Sequence, residues 1–390
     1  MFTDWGRDTF IAVRGLYASP ARLEVRRDIL LEWADAVSEG MLPNRFPDVG
    51  EAPEFNSVDG SLWYVVAVDE LLSAAGPDGL PIAAATRVAL ERAVLAIVRG
   101  YSAGTRFGIR MDDDALLAAG VPGQQLTWMD ARVGDRVITP RIGKPVEVQA
   151  LWLNALQLAS TIDPGWRPFL ARGLRSFATR FWSEPAGHLA DVVDVNHERG
   201  TLDATFRPNQ ILAVGGLPLQ LIRGTRARRI VDSVEARLVT PLGLRSLSPG
   251  AEGYAPRYEG GPATRDAIYH QGIVWPWLMG PFVDAWLRVR RDTAAARHEA
   301  RRKFLEPLLD HLETAGLGHV SEIADAESPF TPRGCPFQAW SLGELLRIAA
   351  RFETRGAVTE RIGRRRRGEV LNAGTRPFLT SQQPVSGIVI

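Results

Sequence analysis

Two acidic residues stand in settings that suit proton transfer. Asp130 closes the run Gln124-Gln125-Leu126-Thr127-Trp128-Met129-Asp130, and Glu322 sits between Val320 and Ile323 in Gly318-His319-Val320-Ser321-Glu322-Ile323. A carboxyl group beside an indole loses solvent, its pKa rises, and it can then donate a proton. A second carboxylate can take a proton from water. Together such a pair hydrolyses a glycosidic bond without a cofactor. Read as residues alone, Asp130 is equally a loop acid in a turn, and Glu322 equally an ordinary edge-strand glutamate.

Other segments add groups suited to a sugar. Asp4-Trp5-Gly6-Arg7-Asp8 combines planar donors and acceptors with an apolar ring face, although in isolation it reads better as a capped helix N-terminus with a surface ion pair. Asp59, in Asn56-Ser57-Val58-Asp59-Gly60-Ser61-Leu62-Trp63, falls in the first turn of an expected helix, where an anion is favoured for capping or for function. Lys144 is one of two lysines, the other being Lys303, and reads equally as a donor to a hydroxyl or as a solvated loop lysine. The stretch Arg265-Asp266-Ala267-Ile268-Tyr269-His270-Gln271-Gly272-Ile273-Val274-Trp275-Pro276-Trp277 is too dense in polar and aromatic groups to be plain core. His270 has no HxxH or HExxH partner, so it reads as a core or ring-stacking histidine and no metal is expected. Arg207-Pro208-Asn209-Gln210 reads as a helix start, and Cys335 as a buried structural thiol. No P-loop, GxGxxG unit, nucleophile elbow or zinc spacing occurs, so no cofactor is expected.

The elements that must position these groups are helical. Leu23, Ile29, Leu30, Trp33 and Val37 recur near 3.6 residues, and similar patterns predict helices near 8–18, 58–75, 82–99, 145–161, 166–183, 208–222, 225–239, 273–291, 294–315 and 336–353. Short strands are expected within 106–111, 192–195 and 318–322. The long Gly- and Pro-rich stretches 102–143 and 240–272 are expected to be functional loops. Helical hairpins in a ring would bring such loops to one mouth. From Thr354 the periodicity stops, and an Arg-rich tail over 354–390 is expected to be disordered and solvated.

Composition narrows the partners. With 390 residues, 45% hydrophobic and 23% charged, the chain is an ordinary globular one, and its net charge of +1 gives no field for nucleic acid or an anionic membrane. One cysteine excludes an internal disulfide and fits a reducing compartment. The absence of a spanning apolar run or a secretory leader pattern makes the cytoplasm the default location. Oligomeric state has no signal.

The motifs WGRDTF, GMLPNRFPD, NSVDGSLW, QLTWMDA, TPRIGKPVEVQALW, RPNQ, YHQGIVWPW, SEI and GCPFQAWS resemble, in order, those of the C-terminal domain of glycogen debranching enzymes, the amylo-α-1,6-glucosidase domain. The resemblance spans about residues 2–350, a single domain over 1–353. It implies an all-α (α/α)6 toroid and an inverting glycoside hydrolase that releases α-1,6-linked glucose from branched glucan. By position in the motifs, Asp130 resembles the general acid and Glu322 the general base. Trp5, Arg7 and Asp8 resemble the residues that hold the terminal glucose. Asp59, Trp128, Lys144, Arg265, Asp266, His270, Gln271 and Trp275 resemble other pocket-lining positions. The two carboxyls are then expected about 6.5–9.5 Å apart. Two departures stand out. The tryptophan motif comes at the very start, so the ring is expected to lack its first helix and to expose the apolar faces that helix covers. The aromatic and glycine usual after the base are replaced by Ile323-Ala324-Asp325-Ala326. A glucan-binding remnant without catalysis, or the same fold acting on another α-glucoside, remain the alternatives.

Overall fold

A computed structural model describes residues 4–19, 22–47, 52–75, 81–315 and 317–352. Its helices are α1 (Gly6–Leu16), α2 (Leu23–Ala34), α3 (Gly60–Ala74), α4 (Ala84–Ala103), α5 (Val146–Ile162), α6 (Arg167–Arg180), α7 (Gly224–Leu238), α8 (Pro262–Ile268), α9 (Met279–Val289), α10 (Ala294–Ala300), α11 (Glu306–Thr314) and α12 (Ala339–Phe352). A π-helical turn, Arg301–Leu305, joins α10 to α11 without a break. The tail expected from 354 onward lies outside the described residues.

Six elements close an inner ring. α1 packs on α3, α3 on α5, α5 on the 3-10 segment Pro208–Ala213, that segment on α9, α9 on α12, and α12 back on α1. Outside them lie α2 and α4 against α3, α6 against α5, α7 against α9, and the α10–α11 rod against α9 and α12. This is the expected (α/α)6 toroid, with five outer helical units to six inner elements among the described residues. The two layers differ in pattern for a physical reason. An inner helix meets neighbours on every side, so α5 buries every residue from Val146 to Leu156. An outer helix keeps one wet face, so α7 buries Ala227, Ile230, Val231, Val234 and Leu238 at helical spacing.

The ring closes by close backbone contact. A Cβ on Gly15 would fall 1.7 Å from the Gly343 carbonyl oxygen, and one on Gly343 would fall 2.7 Å from that of Ala12, so only glycines let α1 and α12 meet this tightly. The expected apolar exposure around α1 is nearly missing: Leu346 is the one large apolar residue on α1 or α12 that is exposed. Toward the C-terminal ends of the inner helices, partly buried ion pairs join the ring, with Arg14 on Glu70 at 2.7 Å and Arg347 on Asp284 at 2.5 Å.

Four expectations needed correction, the first being the strand expected within 318–322, which lies at Ile323–Ala324 instead. Of the helix expected over 208–222, only Pro208–Ala213 is helical, as a 3-10 segment. The helix expected over 273–291 begins as strand Val274–Trp275 and a 3-10 turn before α9. The short helix α8 was not anticipated in the loop 240–272.

Short strands pin the loops at the N-terminal ends of the inner elements. Asp4–Trp5 pairs antiparallel with Arg45–Phe46. Lys144–Pro145, Val192–Val193 and Leu202–Asp203 form a three-stranded sheet. A five-stranded antiparallel meander runs through Val239–Thr240, Gly243–Arg245, Val274–Trp275, Ile323–Ala324 and Pro332–Arg333. That meander pairs Val274 with Ala324, which brings the neighbouring Trp275 and Glu322 to the same end of the ring although they are far apart in sequence.

Candidate active site

A cavity of about 500 Å³ opens where these loops meet, lined among others by Trp5, Arg7, Asp8, Trp128, Asp130, Tyr269, Trp275, Glu322, Phe337 and Trp340. Its residues come from the segments that lead into α1, α5, α9 and α12.

The α1 side is set by Gly6. Its N–H donates to the Asn44 carbonyl at 2.9 Å, and a Cβ there would fall 2.4 Å from the Pro43 oxygen. This close approach presents Arg7 and Asp8 from the first turn of α1. Arg7 is buried, and its guanidinium bridges two carboxylates: Nε donates to Asp59 Oδ1 at 2.9 Å and Nη1 to Asp130 Oδ2 at 2.8 Å. Ser57 also donates to Asp59, at 2.7 Å. Asp59 therefore serves the site from behind, by fixing Arg7.

Asp130 is carried by a loop tied down on both sides. The Val58 N–H donates to the Leu126 carbonyl at 2.8 Å, Trp128 Nε1 donates to Asn209 Oδ1 at 2.8 Å, and the hairpin Arg132–Val133/Arg136–Val137 follows. The Asp130 side chain keeps 32% exposure toward the cavity. Desolvation in the ring nevertheless raises its pKa, against the lowering by Arg7. Asp8 is raised to about 7: burial dominates, Arg7 opposes it, and the neighbouring charges of Asp130, Glu322 and Asp59 add to it. The coupling of Asp8 to both Asp130 and Glu322 puts all three acids in one electrostatic unit.

Glu322 is held at both oxygens. Tyr269 Oη donates to Oε1 at 2.5 Å, and the Cys335 N–H donates to Oε2 at 3.0 Å. The Glu322 N–H returns a bond to the Cys335 carbonyl at 2.8 Å. Burial first, and then the adjacent Glu322 charge, push the Tyr269 hydroxyl well above the ordinary phenol range, so Tyr269 remains a donor. The unusual Asp325 after the strand is fully buried, accepting from the Tyr258 N–H at 2.8 Å and pairing with Arg333 at 3.0 Å. It anchors the strand Ile323–Ala324 that follows Glu322.

An aromatic wall faces the acids. Trp128 packs edge-on against Trp275 and Trp277, at 5.3 and 5.4 Å between ring centres, and Trp340 stacks on Trp277 at 5.3 Å. His270 is fully buried behind this wall and stacks on Trp275 at 4.9 Å and 7°. It is the ring-stacking histidine expected from its residues, and burial holds its pKa far below the usual value, so it stays neutral.

The structure thus brings Trp5, Arg7, Asp8, Trp128, Asp130, Trp275 and Glu322 into one cavity. Asp59, Lys144, Arg265, Asp266, His270 and Gln271 lie outside its lining. Lys144 points into a separate cluster, bonded to Asp112, Asp114 and Asp194 at 2.9, 2.9 and 3.0 Å. Gln271 clasps loops, donating to Thr139 Oγ1 at 3.1 Å and accepting from Arg207 at 3.0 Å. Arg265 and Asp266 sit on α8, with the Arg265 guanidinium 5.8 Å from the Tyr258 ring. Cys335 is exposed, not buried, because its loop crosses the cavity mouth. Tyr269, Phe337 and Trp340 were missed. Each lies inside a motif already singled out, but nothing in the sequence separates the neighbour that faces the cavity from the one that faces the core. Among the described residues no cluster of potential metal ligands occurs, and no helix is long and apolar enough to cross a membrane.

Comparison with known proteins agrees with this architecture. The sequence model of the family described as amylo-alpha-1,6-glucosidase matches residues 1–347. A glycogen debranching enzyme of Saccharomyces cerevisiae is 24% identical over 88% of this chain, which spans 29% of that protein's length. Among solved structures, an uncharacterized conserved protein of Thermus thermophilus superposes with a TM-score of 0.60 at 18% identity, covering 89% of this chain and 93% of that one. A GH63 mannosylglycerate hydrolase of Thermus thermophilus, solved in complex with glucose, gives a TM-score of 0.58 at 17% identity over the same shares. These likenesses in structure speak for the fold.

Proposed function

We propose a reaction on one premise: the chain belongs to the amylo-alpha-1,6-glucosidase family, a family of glycoside hydrolases. The reaction is inverting hydrolysis of single α-1,6-linked glucose stubs on a glycogen-like glucan. The observation that carries it is the presence of Asp130 and Glu322 in the wall of one sugar-sized cavity.

Each part of the site has a role in this reading. Arg7 engages Asp130 Oδ2, which leaves Oδ1 to carry the proton. Asp130 gives that proton to O6 of the stub linkage as the C1–O6 bond breaks. Glu322, fixed by Tyr269 and the Cys335 N–H, removes a proton from a water that attacks C1 from the opposite face. β-Glucose and a chain with a free 6-hydroxyl leave, and the proton on Glu322 returns to Asp130 through solvent. Asp8 and Arg7 supply acceptor and donor to the glucose hydroxyls, while Trp128, Trp275 and Trp340 exclude water from the C–H faces of the ring.

The test is glucose release from a phosphorylase limit dextrin trimmed to expose single stubs, with the anomer followed by NMR. β-Glucose as first product supports the reading. α-Glucose would refute inversion, and preference for maltose over isomaltose would move the substrate to α-1,4 linkages. Glucan retention without any release by the folded chain would leave only a binding protein.

A further inference from the structure

Among the described residues, two aromatic side chains are exposed, Trp5 at 41% and Phe337 at 58%. Both line the same cavity. Elsewhere every described Trp, Phe and Tyr is buried or half-buried, so the mouth of this one cavity holds all the openly presented aromatic surface. Each ring is also braced. The Arg45 guanidinium, anchored to Glu54 at 2.7 Å, lies 5.8 Å from the centre of the Trp5 ring. His319 packs against Phe337 with ring centres 4.8 Å apart and planes at 65°. A braced, exposed aromatic ring keeps an apolar face in water at a cost, and little side-chain freedom remains to be lost when a partner covers it. The half-buried Gln338, next to Phe337 in the same lining, adds an amide that can bond hydroxyls.

We propose that Phe337, with Trp5, is the platform for the glucan chain that carries the stub, on the leaving-group side of the scissile bond. The inference rests on the glucosidase reading of the cavity. The inner part sets half-buried Asp8, Asp130 and Glu322 against buried Trp128 and Trp275, a polar setting suited to one glucose. Phe337 stands at the mouth, where the chain left behind must lie. Apolar ring faces alternating with hydroxyl-bonding groups suit α-linked glucose units, whose C–H faces stack on aromatic rings. The chain bound at Phe337 would place O6 at Asp130, so the platform selects for a long glucan as leaving group over a small one.

The experiment compares two substrates and one binding readout on the full chain. α-Glucosyl fluoride occupies the glucose position alone, whereas trimmed limit dextrin also occupies the platform. Phe337→Ala is expected to lower kcat/KM on the dextrin about tenfold more than on the fluoride, through KM. Equal losses on both substrates would overturn the platform and leave the glucosidase reading standing. Val88→Ser, which removes an exposed apolar residue on α4, serves as control and should move neither rate. Affinity gels cast with limit dextrin cover the case in which the wild type releases no glucose. Retardation of the wild type that Phe337→Ala abolishes upholds the platform even then. Retardation unchanged in Phe337→Ala, or none in the wild type, overturns it.

Discussion

Two cavities of nearly equal size open among the loops, and their chemistry is opposite. The one with Asp130 has a volume of about 500 Å³ and is lined by four carboxyls, those of Asp4, Asp8, Asp130 and Glu322, with Arg7 the one cationic residue in its lining. The one with Lys144 has about 490 Å³ and is lined by Asp112, Asp113, Asp114 and Asp194 against Arg110, Lys144, Arg180 and Arg199. In the second, charges are matched. Burial opposes ionisation of Asp194, yet hydrogen bonds from the Gly200 N–H, Arg180 and Lys144 overcome it and bring its pKa to about 2. Asp114 is likewise lowered and Lys144 raised. In the first, acids outnumber the cation, desolvation prevails, and Asp8 and Asp130 rise. The volumes are alike; an aromatic lining and an excess of acids over cations raise the carboxyl pKa values in one cavity, and matched charges lower them in the other.

The largest effect that would test this contrast is on turnover. Asp130→Asn and Glu322→Gln should each lower kcat for glucose release by about 10³-fold or more while glucan binding persists. Turnover within tenfold of wild type in either variant would strip that carboxyl of its role. Next comes stability. Lys144→Met leaves three carboxylates facing one another without their ammonium, so unfolding in denaturant should ease by about 3 kcal/mol. Activity per folded molecule should change little. A stable but inactive Lys144→Met would mean that the second cavity also takes part in the reaction.

pH separates the cavities more finely. Asp8 has its folded pKa raised to about 7, so its contribution favours the folded state at low pH and is lost as pH climbs from about 4 to 7. Asp194 has its pKa lowered to about 2, so its contribution is present above about 4 and is lost as pH falls toward 2. Asp8→Asn should therefore raise stability near pH 7 by about 1–2 kcal/mol relative to pH 4, and Asp194→Asn should lower it. Parallel pH–stability curves for the two variants would erase the distinction. Asp8→Asn should also move the alkaline limb of the activity profile to lower pH, since Asp130 loses a negative neighbour. The smallest effect expected is that of Tyr269→Phe, about tenfold in kcat with little change in KM, because Glu322 retains its bond from the Cys335 N–H.

The sequence-based reading succeeded where one residue's type or one helix face settles the matter. Outer helices such as α7 have a wet side, so their period shows. The stretch from Pro208 to Leu217 is buried throughout, and no period can distinguish a helix from an irregular inner element. At the site, Arg7, Asp8, Asp130 and Glu322 were singled out by the resemblance of their motifs to a known family; by residue type alone each read as well or better as a cap, a turn acid or an edge-strand glutamate. Lys144 looked the same on paper as Arg7, a single cation among motif residues. Only the fold reveals that three aspartates surround it. Tyr269 and His270 are adjacent, one in the cavity wall and one behind it, and a loop has no fixed alternation from which to tell them apart.

The glycine seam between α1 and α12 has a consequence for biosynthesis. Arg7 and Asp8 leave the ribosome long before Trp340. Until α12 emerges, the growing polypeptide is an open arc of hairpins whose inner helices lack a neighbour. The contact of α1 with α12 joins segments far apart in sequence, the kind that forms slowly. A product that stops short of α12 cannot then possess a finished cavity, because Trp340 and the helix that closes the ring on α1 are both absent.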